Sequence, residues 1–178
     1  MQKLNLKEML VPTASLFVIC LVIAGSLALV NAVTMSPIAP NATKEADEAR
    51  QVIFPGARFV DEGGYFTAMD QNGALIGYCI DSGAQGYGGL IEVAVGLDTQ
   101  GNVLKVQVVA ADGETPGLGQ KVKESTFLDQ FTGKAGALAL GGGIDSIASA
   151  TYSSRGVVDA VNKALEIYNE EIKGGEAQ

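Results

Sequence analysis

The stretch "GGLIEVAVGLDTQGNVLKVQVVAAD", Gly88 to Asp112, decides the fold. Two apolar runs rich in β-branched residues flank a polar turn from Asp98 to Asn102, the pattern of paired antiparallel strands. Side chains alternate across extended backbone, so Ile91, Val93 and Val95 share one face and Leu90, Glu92 and Ala94 the other. Upstream, "YFTAMD", the turn Gln71-Asn72-Gly73 and "ALIGYCID" repeat the device, and Asn-Gly suits a left-handed turn.

Downstream the period changes. "GQKVKESTFLDQF" places Val122, Leu128 and Phe131 on roughly one helical face. From about Ser154 to Lys173, Val157, Val158, Val161, Leu165 and Tyr168 recur at three- and four-residue steps. Before the strands, "KEADEARQVIF" reads as a short amphipathic helix stopped before Pro55. Strands first and helices interleaved later predict an α+β domain with a largely antiparallel sheet and flanking helices.

The N-terminal quarter is of another kind. No charge occurs from Met9 to Val33, and "LFVICLVIAGSLALV" is apolar enough for a hydrocarbon core. Lys3 and Lys7 precede this run and an acidic, mixed segment follows it. The excess of basic residues therefore predicts a cytoplasmic N-terminus and an extracytoplasmic domain. Val30-Asn31-Ala32 also suits a signal-peptide cleavage site, but the run is long, and a retained transmembrane helix is the preferred reading. The expected organisation is an anchor over 1–35, a Pro-containing linker over 36–43 and a single domain over 44–178. Pro37 and Pro40 are expected to keep the linker out of helix. Asn41-Ala42-Thr43 matches a glycosylation sequon and is read as chance.

Composition excludes several function classes. Twelve basic residues against twenty acidic give a net charge of −8, a poor match for nucleic acid. The 178 residues include no histidine, which removes the commonest general base, haem ligand and metal ligand together. Two cysteines, Cys20 and Cys79, cannot ligate an iron–sulfur cluster or form a zinc knuckle. Both are read as buried free thiols. No GxSxG elbow, P-loop or dinucleotide fingerprint is present, so neither a catalytic residue nor a metal site is expected. Redox work would need an organic cofactor.

Two segments remain. "DSIASATYSS", Asp145 to Ser154, carries five serine or threonine hydroxyls ahead of the last helix. Its plainest reading is a helix cap, with Ser153 and Ser154 as capping candidates. The alternative is an attachment point, with a phosphate ester on Thr151 near the amide donors of the helix start. "ETPGLG", Glu114 to Gly119, closes a strand and opens a helix. There Pro116 fixes one dihedral, and Gly117 and Gly119 let the backbone approach a flat ligand.

Together, Gly86 to Gly119 and "DSIASATYSSRGVVDAV" resemble the FMN-binding domain of the G subunit of Rnf electron-transport complexes. The C subunit of sodium-pumping NADH:quinone reductases is similar. The resemblance implies one FMN joined through its phosphate, by a flavin transferase, to the last threonine of an Asp-x-x-Ser/Thr-Gly-Ala-Thr motif. Asp145 matches its aspartate, Ala150 its alanine and Thr151 the acceptor; Ala148 and Ser149 depart from it. The other implied cofactor-binding residues are Ser149, Ser153, Ser154, Glu114, Thr115, Pro116, Gly117, Leu118 and Gly119.

The implied function is that of an electron-carrying flavoprotein within an Rnf-type ferredoxin:NAD oxidoreductase, which couples electron transfer to Na+ or H+ translocation. The alternatives are the C-type component of the quinone reductase and a membrane-anchored flavin module for another reductase. The partners implied are a second flavinylated subunit and membrane-embedded iron–sulfur subunits. The place implied is the plasma membrane of a prokaryote.

Overall fold

The computed structural model describes residues 6–174; Lys3 and residues 175–178 lie outside them. The chain divides into two compact units, Met1–Asn41 and Ala42–Gln178.

The described residues of the first unit are helical. α1 runs Leu6–Ile53 and contains an apolar span, Leu10–Asn31, of mean hydropathy 2.5. That span has the length and composition to cross a bilayer. Its large apolar side chains are exposed, as expected of a helix whose solvent is lipid. The Ser26 hydroxyl donates back to the Val22 carbonyl at 2.8 Å, so a polar group on the span is satisfied within it. Cys20 is exposed on this helix rather than buried, like the apolar side chains around it. The helix also continues through Pro37 and Pro40, which were expected to break it. Each proline forfeits one hydrogen bond, but its fixed φ is itself helical.

The second unit is the expected α+β domain. Its sheet is a meander in the order β1 (Arg58–Asp61), β2 (Phe66–Met69), β3 (Leu75–Gln85), β4 (Leu90–Leu97) and β5 (Val103–Ala110), antiparallel throughout. Two turns share one construction. Asp70 Oδ1 accepts from the amides of Asn72 and Ala74, and Asp98 Oδ1 from those of Gln100 and Asn102. The left-handed position falls on Gly73 and Gly101 alone, so each turn is longer than a two-residue Asn-Gly hairpin. The backbone amide of Ala74 is the main cause holding the Asp70 carboxyl below its ordinary value. At Asp98 partial burial pushes the other way, but donors from Asn102, Gln100 and Gly101 prevail and the carboxyl is again lowered.

Both sheet faces are covered. Ile91, Val93, Val95 and Leu97 join Ile80 and Val106 in a core closed by α3 (Thr151–Ile167), through Val157, Val158, Val161 and Leu165. The opposite face carries small residues, Ala68, Cys79 and Ala94, under Ala49 and Ile53 of α1 and under Phe54. A Cβ on Gly96 would overlap Ile53 Cγ2, so glycine there sets how closely that helix end approaches. Burial pushes the Cys79 thiol up to about 12, helped by the nearby Asp81 carboxylate, which leaves it unreactive.

The segment Gly119–Phe131 is a chain of short turns around α2 (Ser125–Leu128) rather than one helix. It still buries Val122, Leu128 and Phe131, as its spacing predicts, with Phe127 beside them. The last helix starts at Thr151, three residues before the predicted Ser154, and widens to a π-turn over Tyr168–Lys173.

Candidate functional site

The long connection between Phe131 and Thr151 is held by two side-chain amides. Gln130 Oε1 accepts from the Asp145 amide at 2.7 Å, and Gln130 Nε2 donates to the Asp145 carbonyl at 3.3 Å. Asn162 grips Leu138 in the same two-point manner, at 2.8 and 2.9 Å. Each amide imitates the neighbouring strand that the loop lacks, so the segment leading to α3 has a fixed path.

At its end the backbone turns sharply. Ser149 has φ 63°, the one non-glycine residue among those described in the left-handed region. That geometry gives a physical reason for glycine being usual at this place in the motif. Holding a side chain there costs about 1 kcal/mol, part of which glycine returns as unfolded-chain entropy. Ser149→Gly is therefore expected to raise stability by roughly 0.5–1 kcal/mol, read from urea unfolding midpoints at unchanged slope. A loss of stability would contradict the strain.

Thr151 is the first residue of α3. Ala150 stands at the N-cap position and no side chain caps the helix. Ser153 and Ser154, expected as caps, lie inside the first turn and are buried. The Ser154 hydroxyl donates to the Ala150 carbonyl at 2.9 Å and accepts from the Ile147 amide at 3.0 Å. The Ser153 hydroxyl donates to Glu114 Oε2 at 2.5 Å. Both are consumed internally. Thr151 is exposed, its hydroxyl bonds none of the described residues, and the amides around it point out of the helix end.

Glu114 ties the site together. It is buried, and its Oε1 accepts from the Gly88 amide at 3.0 Å while Oε2 takes the Ser153 hydroxyl. The β3–β4 turn, the "ETPGLG" segment and the start of α3 therefore meet on one carboxylate. Glycines make the approach possible. A Cβ on Gly88 would collide with the Gly113 carbonyl oxygen, and one on Gly119 would fall 2.5 Å from Glu114 Oε2. Gly88→Ala is expected to force the two backbones apart and to break the Glu114 bond. The cost should be about 3 kcal/mol, combining overpacking with a lost charged hydrogen bond. Thermal unfolding checks it; a melting temperature equal to that of the parent would refute the contact.

A cavity of about 310 Å³ opens above these residues, lined by Tyr87, Thr115, Leu118, Gly119 and the five residues Ser149–Ser153. Two segments far apart in sequence thus meet on one concavity, near the lower end of the volumes that bind organic cofactors. Five expected residues do not line it. Glu114 and Ser154 lie beneath it, Pro116 and Gly117 shape the turn behind Thr115, and the exposed Asp145 side chain is set apart from it. Two aromatic side chains escaped the site prediction. Tyr87 and Tyr152 stand at the mouth, 71% and 67% exposed, with ring centroids 6.5 Å apart. The signal was there to read: Tyr87 is an aromatic residue inside "QGYGG", a run otherwise too small and polar to bury it.

The residues present suit a flavin mononucleotide. The uncapped helix start offers amide donors to a phosphate, Thr151 offers a hydroxyl at the same end, and the apolar and aromatic walls suit a flat ring. Among the described residues no group of acidic or thiol side chains could hold a metal ion.

Residues 86–166 match the family model described as FMN-binding domain. The chain is 28% identical over 177 residues to the G subunit of an ion-translocating oxidoreductase complex of Methanosarcina acetivorans, covering 90% of this chain and 94% of that one. It is 29% identical over 184 residues to the G subunit of the Na(+)-translocating ferredoxin:NAD(+) oxidoreductase complex of Acetobacterium woodii, covering 86% and 88%. Among solved structures, the C subunit of the Na(+)-translocating NADH-quinone reductase of Parabacteroides distasonis superposes with a TM-score of 0.49. That match is 23% identical and covers 60% of each chain. The resemblance expected from the two motifs is therefore found independently, over nearly the whole chain.

Proposed function

We propose that this chain is the electron-carrying, G-type FMN protein of an Rnf-type complex, a ferredoxin:NAD oxidoreductase that moves Na+ or H+. The observation that carries the reading is the convergence of "ETPGLG" and Thr151 on one cavity inside the matched FMN-binding segment. Thr151 is the acceptor. Its hydroxyl oxygen bonds to the flavin's phosphorus and its proton leaves, a flavin transferase supplying FMN activated by a leaving group on that phosphorus. The amides of the α3 start then face the phosphate, where a helix end favours negative charge by about 0.3–1 kcal/mol.

FMN, when bound, would supply one- and two-electron redox chemistry. The residues do the holding. Leu118 and Gly119 give the ring a low wall, Tyr87 and Tyr152 flank the opening, and Thr115 offers a hydroxyl at the edge. The tether leaves the ring untouched and keeps it from diffusing away, so the effective concentration stays high at any dilution. Leu10–Asn31 anchors the carrier in the membrane with the N-terminus on the cytoplasmic side, and the domain works outside, as the flanking lysines favour. Its neighbours in the complex are a second flavinylated subunit and membrane-embedded iron–sulfur subunits.

The test is intact-mass analysis of the full-length chain produced together with a flavin transferase. One FMN less one water should be gained, and fragmentation should place it on Thr151. A protein of unmodified mass, or a flavin located elsewhere, would defeat the reading.

A further inference from the structure

Glu114 is the single acidic residue among the buried polar side chains described, at 2% exposure. The ion pairs among the described residues are Arg50 with Asp47 and Asp81, and Lys123 with Asp112; Glu114 belongs to none. Its two partners are neutral donors, the Gly88 amide and the Ser153 hydroxyl, one on each oxygen. Ser153 and Gly119, the residues against which it lies, line the cavity, and no lining residue carries charge. The Glu114 carboxyl group thus sits one layer of atoms beneath the cavity floor, shielded from water and in no ion pair among the described residues.

We infer that Glu114 holds the reduction potential of a flavin in this cavity low, by opposing the negative charge that reduction brings there. The inference rests on the reading that FMN occupies the cavity. Each electron taken up without a proton leaves one added negative charge, and a fixed buried carboxylate disfavours that charge more than exposed groups can. Ser153 moderates the effect, since its hydroxyl dipole points at Glu114 and spreads the charge. Glu114 is a positioning residue as well, through Gly88 and Ser153. The two roles make different predictions.

The experiment is an equilibrium redox titration, followed by flavin absorbance at fixed pH, on full-length protein carrying attached FMN. Glu114→Gln removes the charge and can keep both contacts: its carbonyl accepts from Gly88, and its amide donates to a Ser153 hydroxyl that rotates. Its midpoint should move positive. Ser153→Ala keeps the charge and strips away a donor, so its midpoint should move negative. Shifts of opposite sign are the signature, because a mere packing defect at this hub would move both variants alike. An unchanged or negative shift in Glu114→Gln, or shifts of one sign in both, would overturn the inference. Should Glu114→Gln fail to fold, a positive or absent shift in Ser153→Ala overturns it alone. A parent protein without flavin would instead overturn the reading of the cavity, and this inference with it.

Discussion

Thr151→Ala is expected to abolish flavin attachment completely while leaving the domain folded. The Thr151 side chain is exposed and bonded to none of the described residues, so removing it should change stability by no more than about 0.5 kcal/mol. Alanine is also a good helix former, and the first turn of α3 draws its internal bonds from Ser154 rather than from Thr151. The other hydroxyls of the first turn of α3 are poor substitutes. Ser153 and Ser154 are buried and bonded to Glu114, Ala150 and Ile147, and Tyr152 offers a phenol at the far end of a larger side chain. Thr151→Ser restores a hydroxyl at the same place and should accept flavin again. Visible absorbance and intact mass distinguish the outcomes. A yellow alanine variant would mean that the acceptor lies elsewhere, and an unfolded one would mean that Thr151 has a structural part which its exposed side chain does not reveal.

Arg50→Ala is expected to destabilise the domain by about 2–3 kcal/mol, less than the full penalty for an unpartnered buried charge because the Asp81 side chain left behind is 35% exposed. Arg50 is 6% exposed and lies 3.8 Å over the Phe66 ring. Its guanidinium bonds Asp47 at 2.5 Å and also bonds Asp81. Asp47 is open to water and can do without it. Asp81 cannot: burial already raises its carboxyl above the ordinary value, Arg50 is the main group opposing that rise, and its Oδ1 is buried with no hydrogen-bond partner. The pair itself contributes little net stability, since burying both charges cancels most of their attraction. The double variant Arg50→Met with Asp81→Leu should therefore recover most of the loss. Thermal unfolding of the parent and both variants checks this, and a single variant within about 1 kcal/mol of the parent would refute it.

The sheet was legible because its signal is local and redundant. Alternation in β4 fixes which residues face α3, and Ile91, Val93 and Val95 fell where period two puts them. Helix starts were less legible. Thr151 to Ser153 have the composition of a cap, yet they form the first turn, because Glu114, thirty-nine positions away, takes up the Ser153 hydroxyl. A long-range partner of that kind leaves no trace in a local window. The same limit hid the division of labour at the site. "ETPGLG" was found by its glycines and its family likeness, but not that Glu114 turns inward while Thr115, Leu118 and Gly119 face the cavity. Tyr87 was missed for a related reason, since it sits in a tight turn whose place beside Tyr152 depends on how β3 and β4 meet α3. At Pro37 and Pro40 the sequence pointed the wrong way: proline disfavours a helix interior without forbidding it.

One consequence of the strand order concerns the birth of the molecule. Neighbours along the chain are neighbours in the meander, so the five strands can assemble as they emerge, but the face that α3 covers stays greasy until α3 itself has been made. The same late helix brings the hydroxyl suited to the pigment. A polypeptide cut short before residue 151 thus lacks both the helix that closes this interior and the hydroxyl proposed to carry the flavin.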